Sequence, residues 1–118
     1  MKSRILAISG SSRRGSLNAK LLDLAVSGAQ RPGYSFLTRR LRVAHLYEAD
    51  WEAEHAQLRR ELRLLVAEPH GLSIAFPEHN GGYTALLKNS IDWISPPEEY
   101  EKLEGSVFLG KLAAVMSA

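Results

Sequence analysis

Arg4-Ile5-Leu6-Ala7-Ile8-Ser9-Gly10-Ser11-Ser12-Arg13-Arg14-Gly15-Ser16-Leu17-Asn18 decides the fold. Arg4–Ser9 is a β-branched and aliphatic run stopped by Gly10. Its continuous apolarity, without alternation, predicts a strand covered on both faces, as in a parallel sheet. From Leu17 to about Ala29 the apolar spacing turns helical, through Leu17, Leu21, Leu22, Leu24 and Ala25, and Pro32-Gly33 then interrupts. The loop between strand and helix aims backbone N–H groups and the positive end of the helix dipole at one point. Ser11, Ser12, Ser16 and Asn18 add short donors, and Arg13 or Arg14 adds a charged fork, so the loop favours an oxyanion such as a phosphate monoester.

Two familiar phosphate motifs do not fit. The Gly10–Gly15 spacing matches a P-loop's glycine frame, but Ser16 stands in the lysine position and Leu17 in the Ser/Thr position, which argues against nucleoside triphosphate hydrolysis. Ser12 occupies the second glycine of a dinucleotide-binding G-x-G-x-x-G. The competing reading is an ordinary Ser/Gly-rich turn with Ser16 as the helix N-cap.

The same alternation continues along the chain. Tyr34 to Leu46 reads as an edge strand, because Arg39, Arg40 and Arg42 make it too polar for a central one. Trp51 to Ala67 reads as a helix with Leu58, Leu62, Leu65 and Val66 on the apolar face. Arg59, Arg60, Glu61 and Arg63 are expected on a solvated face. Leu72–Phe76 is a third strand, closed by Pro77. The loop Glu78-His79-Asn80-Gly81-Gly82 leads into a helix with Leu86, Leu87, Ile91 and Ile94 in its stripe, ended by Pro96-Pro97. An acidic loop, Glu98-Glu99-Tyr100-Glu101, precedes a last strand at Lys111–Met116. Strands joined by helix-length connections predict βαβ units and an open parallel sheet. Ligands of such sheets sit beyond the carboxyl ends of the strands where the winding reverses, which singles out the loops after the first and third strands. Gly81 and Gly82 let backbone approach a flat ligand closely. A tight turn without a ligand is the other reading of that loop.

Composition bounds the function. The 118 residues allow one domain, and 45% hydrophobic content excludes global disorder. Fifteen Lys+Arg against thirteen Asp+Glu leave +2, too even for a chain built to neutralise phosphate backbones, so no nucleic-acid partner is expected. No cysteine is present, which excludes disulfides and thiolate metal sites and fits a reducing, cytoplasmic setting. The apolar runs are far shorter than the roughly 20 residues of a membrane span, so no membrane partner is expected, and no secretory leader is evident. His45, His55 and His70 show no ligand spacing, and no metal is expected.

Two segments together resemble a known family, the flavodoxin-like NAD(P)H-dependent FMN reductases, which include quinone, chromate and azo-dye reductases. Gly10-Ser11-Ser12-Arg13-Arg14-Gly15-Ser16-Leu17-Asn18 is similar to the family's G-S-x-R-x-x-S-x-N loop. Pro77-Glu78-His79-Asn80-Gly81-Gly82 through Leu87-Lys88-Asn89-Ser90-Ile91-Asp92-Trp93 is similar to its P-E-Y-N-G…L-K-N-A-I-D-W pattern. The resemblance spans nearly the whole chain and is weakest between about Gly28 and Glu54. It implies a three-layer α/β/α fold, with residues 1–118 forming one FMN-binding domain.

The resemblance also implies phosphate contacts from Ser11, Arg13, Ser16 and Asn18, ring contacts from Pro77, Glu78, His79, Asn80 and Gly81, and a third contact near Ser117. The cofactor it implies is FMN, with NAD(P)H as cosubstrate, and the activity is ping-pong hydride transfer to a flavin, quinone or similar small-molecule acceptor. No catalytic acid–base residue is required, because the hard chemistry belongs to the cofactor. A homodimer or homotetramer is implied, with the helix bearing Leu87, Ile91 and Trp93 in or near the contact. His79 departs from the family's Tyr. By the same resemblance four strands are present while a fifth strand and the last helices are missing, which leaves an open edge at Leu112–Met116. The alternative reading is a noncatalytic flavodoxin-like binding or interaction domain with a vestigial site.

Overall fold

The computed structural model describes residues 3–43, 45–96 and 106–118. Four parallel strands form one sheet in the order β2-β1-β3-β4, where β1 is Ser3–Ser9, β2 Tyr34–Arg40, β3 Gly71–Ala75 and β4 Leu112–Met116. The expected alternation and the parallel sheet are both present. In this order the winding reverses between β1 and β3, so their carboxyl ends bracket a crevice.

Helix α1 (Leu17–Ala29) covers one face and α2 (Ala56–Ala67) and α3 (Ala85–Ile94) the other, giving three layers. Because side chains alternate along β1, Ala7 packs with Leu22 and Ala75 beneath α1, while Leu6 and Ile8 join Leu41, Val66, Leu72, Leu87 and Ile94 beneath α2 and α3. This double coverage is the physical reason β1 reads as an unbroken apolar run. At the other edge β4 is thinly covered: Leu112 is 87% and Val115 63% exposed.

Three details correct the sequence reading. The second strand stops at Arg40 rather than Leu46; after it the chain turns inward and buries Leu41, whose amide donates to the Ser9 carbonyl at 3.1 Å. The second helix begins at Ala56, not Trp51, because a 3₁₀ turn at Ala49–Trp51 and a hydrogen-bonded turn over 52–55 precede it. Arg59 and Arg63 lie on the inward face of α2 and are buried, not solvated. Within this chain Trp93 is completely buried and Leu87 nearly so, while Ile91 on the same helix is half-buried. The acidic loop Glu98–Glu101 and Pro97 lie outside the described residues.

Candidate functional site

Both motif loops meet at the crevice. Ser16 caps α1: its Oγ accepts from the Ala19 amide at 3.2 Å, and its carbonyl accepts from Lys20. The capping hydroxyl uses its lone pair there and keeps its proton to donate. The amides of Leu17 and Asn18 have no partner among the described residues, so the N-terminus of α1 presents two free donors beside a hydroxyl. Gly15 makes the preceding turn at φ +65°, a left-handed conformation that suits glycine. Ser11 Oγ accepts from the Arg13 amide at 3.3 Å and shapes the loop locally. The cap and the anion-binding geometry therefore coexist in one turn.

The loop after β3 is a tight hairpin. His79 and Gly82 exchange both backbone bonds, His79 N–H to the Gly82 oxygen at 2.9 Å and Gly82 N–H to the His79 oxygen at 3.1 Å. Between them Asn80 (φ 53°) and Gly81 (φ 78°) take the two left-handed positions that an Asn-Gly turn of this kind requires. The turn consumes the amides of His79 and Gly82 and leaves those of Asn80 and Gly81 without a partner among the described residues.

The two loops are pressed together at Gly10. Its amide donates to the Ala75 oxygen at 2.8 Å, and a Cβ placed on it would lie 3.0 Å from Phe76 Cβ and 3.4 Å from Leu87 Cβ. Only a residue without a side chain brings the end of β1 this near β3 and α3.

Between the loops lies a cleft of about 440 Å³. Six of the ten residues expected to hold a cofactor line it: Ser11, Arg13, Ser16, Asn18, Pro77 and His79. Asn18 is buried, and its Oδ1 accepts from the Ala118 amide at 2.9 Å, which draws the end of β4 to the cleft and leaves Nδ2 as its remaining donor. Glu78, Asn80, Gly81 and Ser117 do not line the cleft; all four are exposed, with Asn80 and Gly81 at the hairpin tip and Ser117 beside the lining residue Ala118. Thr84, Ala85, Leu86 and Leu17 line it without having been singled out. Of these Thr84 was findable, since a threonine just before a helical apolar run is an N-cap signal.

The lining is divided between backbone donors with no partner among the described residues and the apolar side chains of Leu17, Pro77, Ala85 and Leu86. That division suits a ligand with an anionic tail and a flat apolar body, which is the chemistry of FMN. Residues 3–118 match the family model described as NADPH-dependent FMN reductase.

The chain belongs to this family of flavodoxin-like reductases.

It is 34% identical over 116 residues to an NAD(P)H-dependent FMN reductase of Pseudomonas aeruginosa, covering 98% of this chain and 59% of that one. It is 31% identical over 97 residues to a 2-hydroxy-1,4-benzoquinone reductase of a Burkholderia species, covering 82% and 52%. Among solved structures, the flavoenzyme NAD(P)H:(acceptor) oxidoreductase FerB of Paracoccus denitrificans superposes with a TM-score of 0.78 at 26% identity, covering 98% of this chain and 60% of that one. An azoreductase of Bacillus anthracis superposes at 0.73 with 18% identity, covering 98% and 68%, a likeness of fold alone. The chain thus spans between half and three-fifths of the curated relatives it matches. Among the described residues no helix is long and apolar enough to cross a membrane, and no group of three acidic, histidine or cysteine side chains is placed to hold a metal ion.

Proposed function

We propose that this FMN reductase family member holds FMN in the cleft between the loops after β1 and β3, and acts as an NAD(P)H-dependent oxidoreductase toward a flavin, quinone or similar small-molecule acceptor. The observation that carries the reading is the convergence, on one cleft, of the free amides and the Ser16 hydroxyl at the start of α1 with Pro77 and His79 of the loop after β3. The Leu17 and Asn18 amides, Ser11, Ser16, Asn18 Nδ2 and the Arg13 guanidinium would hold the phosphate. Pro77, Glu78, His79, Asn80 and Gly81 would border the ring, with Ser117 from the end of β4 on a third side. When bound, FMN supplies the hydride and electron transfer.

The chain's own contribution is then positional. Fixed amides bind the anionic tail without reorganising, and Pro77, Ala85 and Leu86 remove water from the apolar part of the cleft. His79, in place of the family's Tyr, puts an imidazole at the exposed mouth. The absence of cysteine supports a cytoplasmic setting. The exposed Leu109, Leu112 and Val115 support assembly into a homodimer or homotetramer, for which size-exclusion chromatography is the test.

The function is tested by titrating the protein with FMN while following flavin fluorescence and thermal stability, and then recording the visible spectrum during NADPH addition. Quenching, a raised Tm and bleaching of the bound flavin are the expected results. A protein that takes up no flavin at saturating FMN is a vestigial binding domain, and the proposal fails.

A further inference from the structure

Thr84 lies on the wall of the cleft, is 4% exposed, and makes two hydrogen bonds with one hydroxyl. Its Oγ1 accepts from the Leu87 amide at 3.2 Å, which caps α3. The same Oγ1 donates to the Gly10 carbonyl at 2.8 Å, across to the other loop. Gly10 is therefore held from two sides, its N–H by the Ala75 oxygen of β3 and its C=O by the first turn of α3.

The consequence falls on the next donor in the chain. The Gly10 C=O and the Ser11 N–H belong to one trans peptide and point in opposite directions. Anchoring the carbonyl on Thr84 therefore fixes the direction of the Ser11 N–H, which has no partner among the described residues. Freed from Thr84, the buried Gly10 carbonyl would lose its partner, and the peptide would be able to turn its negative end toward the anion site.

We infer that Thr84 is a positioning residue for the phosphate end of the cleft: by binding the Gly10 carbonyl it orients the Ser11 amide and sets the loop after β1 against the start of α3. This rests on the reading of the cleft as an FMN site. It assigns to α3 a share in anion binding that the phosphate-loop motif alone does not contain. Thr84 itself has no direct contact with the phosphate in this account, so its effect must appear selectively in ligands that carry one.

The experiment compares dissociation constants for FMN and for riboflavin, which lacks the phosphate, in the wild-type protein and in Thr84→Val, Thr84→Ser and Thr84→Ala, by quenching of flavin fluorescence. Thr84→Val keeps the shape and removes both hydrogen bonds. It is expected to weaken FMN binding about five- to tenfold while riboflavin changes by less than about twofold, the size of one ordinary hydrogen bond. Thr84→Ser keeps the hydroxyl and is expected to restore both constants to within about twofold of wild type. Thr84→Ala, which opens space rather than crowding it, is expected to follow Thr84→Val and carries the test if the valine variant does not fold. A merely structural cap would weaken both ligands alike and leave their ratio unchanged; that result in Thr84→Val or Thr84→Ala overturns the inference, as does a serine variant that fails to restore the ratio. A wild-type protein that binds FMN with no change of ratio in the variants sinks this inference alone. A wild-type protein that binds no FMN sinks the functional reading, and this inference with it.

Discussion

The indole Nε1 of Trp93 donates to the carbonyl oxygen of His45 at 2.8 Å, so the last turn of α3 holds the stretch that follows β2. Asn89, one turn earlier, grips the same stretch twice: its Nδ2 donates to the His45 oxygen at 2.8 Å, and its Oδ1 accepts from the Tyr47 amide at 2.7 Å. The rings of Tyr47 and His55 stand edge-on to the Trp93 indole, with centroids 5.2 and 5.7 Å away, and His45 stacks on His55 at 4.2 Å. Two residues of the L-K-N-S-I-D-W run thus organise an irregular segment of this chain.

Removing that grip is expected to destabilise the fold without touching the cleft. Asn89→Ala strips a partner from two backbone groups and is expected to cost about 1–3 kcal/mol. Trp93→Phe keeps most of the ring and loses one bond, for about 1 kcal/mol or somewhat more through the altered packing. Urea denaturation measures both. An Asn89→Ala midpoint equal to wild type would show that the segment after β2 is held by packing alone.

Gly10 and Gly15 sit in one loop but need glycine for different reasons, and substitution separates them. At Gly10 an added Cβ would lie 3.0 Å from Phe76 Cβ and 3.4 Å from Leu87 Cβ and would have to push them aside, so Gly10→Ala is expected to cost roughly 1–3 kcal/mol and to weaken FMN binding by displacing the loop. At Gly15 nothing lies within 4 Å of the added Cβ, and the cost of Gly15→Ala is the left-handed φ alone, about 1 kcal/mol. Thermal melts of the two variants, with and without FMN, are the check. Equal losses, or a larger one at Gly15, would contradict the crowding at the β1–α3 contact.

What the sequence made legible follows from period and punctuation. The strands beginning at Arg4 and Leu72 were readable because both faces are covered, α1 because Ser16 precedes a helical stripe, and α3 because its stripe of Leu86, Leu87, Ile91 and Ile94 stands between a glycine-rich loop and Pro96. The Asn80-Gly81 pair announces its own turn, since left-handed backbone at both positions is what that pair tolerates. The stretch from Leu41 to His55 was opaque because it has no period: its order comes from Asn89 and Trp93, far along the chain. Arg59 and Arg63 were misplaced for a related reason, since a guanidinium reads as solvent-facing unless the carbonyls that receive it are known. Of the expected site residues, those on the cleft wall come from the two motif loops, while Asn18's bond to Ala118 depends on β4 and has no local signal.

Tyr47 provides a pH-dependent signature of the same region. Its hydroxyl donates to Glu52 Oε1 at 2.6 Å, and this bond, with burial and the nearby carboxylate charge, pushes its pKa up from 10.0 to about 12. A phenol whose folded pKa is raised binds its proton more tightly in the native state than in the unfolded one. The stabilisation is therefore fully present below pH 10 and is lost as pH rises through about 12. Phenolate absorbance in an alkaline titration should show one tyrosine ionising late in wild type and missing in Tyr47→Phe. A wild-type-minus-variant curve centred at the ordinary tyrosine pKa would remove the Tyr47–Glu52 bond from the account.

The buried guanidiniums of α2 close the other end of α3. Arg63 Nη1 donates to the carbonyl oxygens of Ile94 and Pro96, both at 2.6 Å, and Arg59 donates to the Pro96 oxygen while its Nη1 lies 3.8 Å from Glu52 Oε2. The last carbonyls of a helix carry the negative end of its dipole and lack helical partners, so a fixed cation there satisfies both. Arg63→Ala removes charge-assisted bonds and takes this donor from the buried Ile94 carbonyl, while Pro96 keeps Arg59, at an expected cost of about 2–4 kcal/mol. Arg60, one residue from Arg59 but exposed, serves as the control, with Arg60→Ala expected within about 0.5 kcal/mol of wild type. Because the Arg63 bonds are shielded from solvent, their loss should be nearly the same at low and high salt, whereas a surface charge effect would shrink as salt is added. Denaturation of both variants at two ionic strengths decides it: equal, salt-sensitive losses at Arg60 and Arg63 would return α2's arginines to the solvated face that their sequence alone implied.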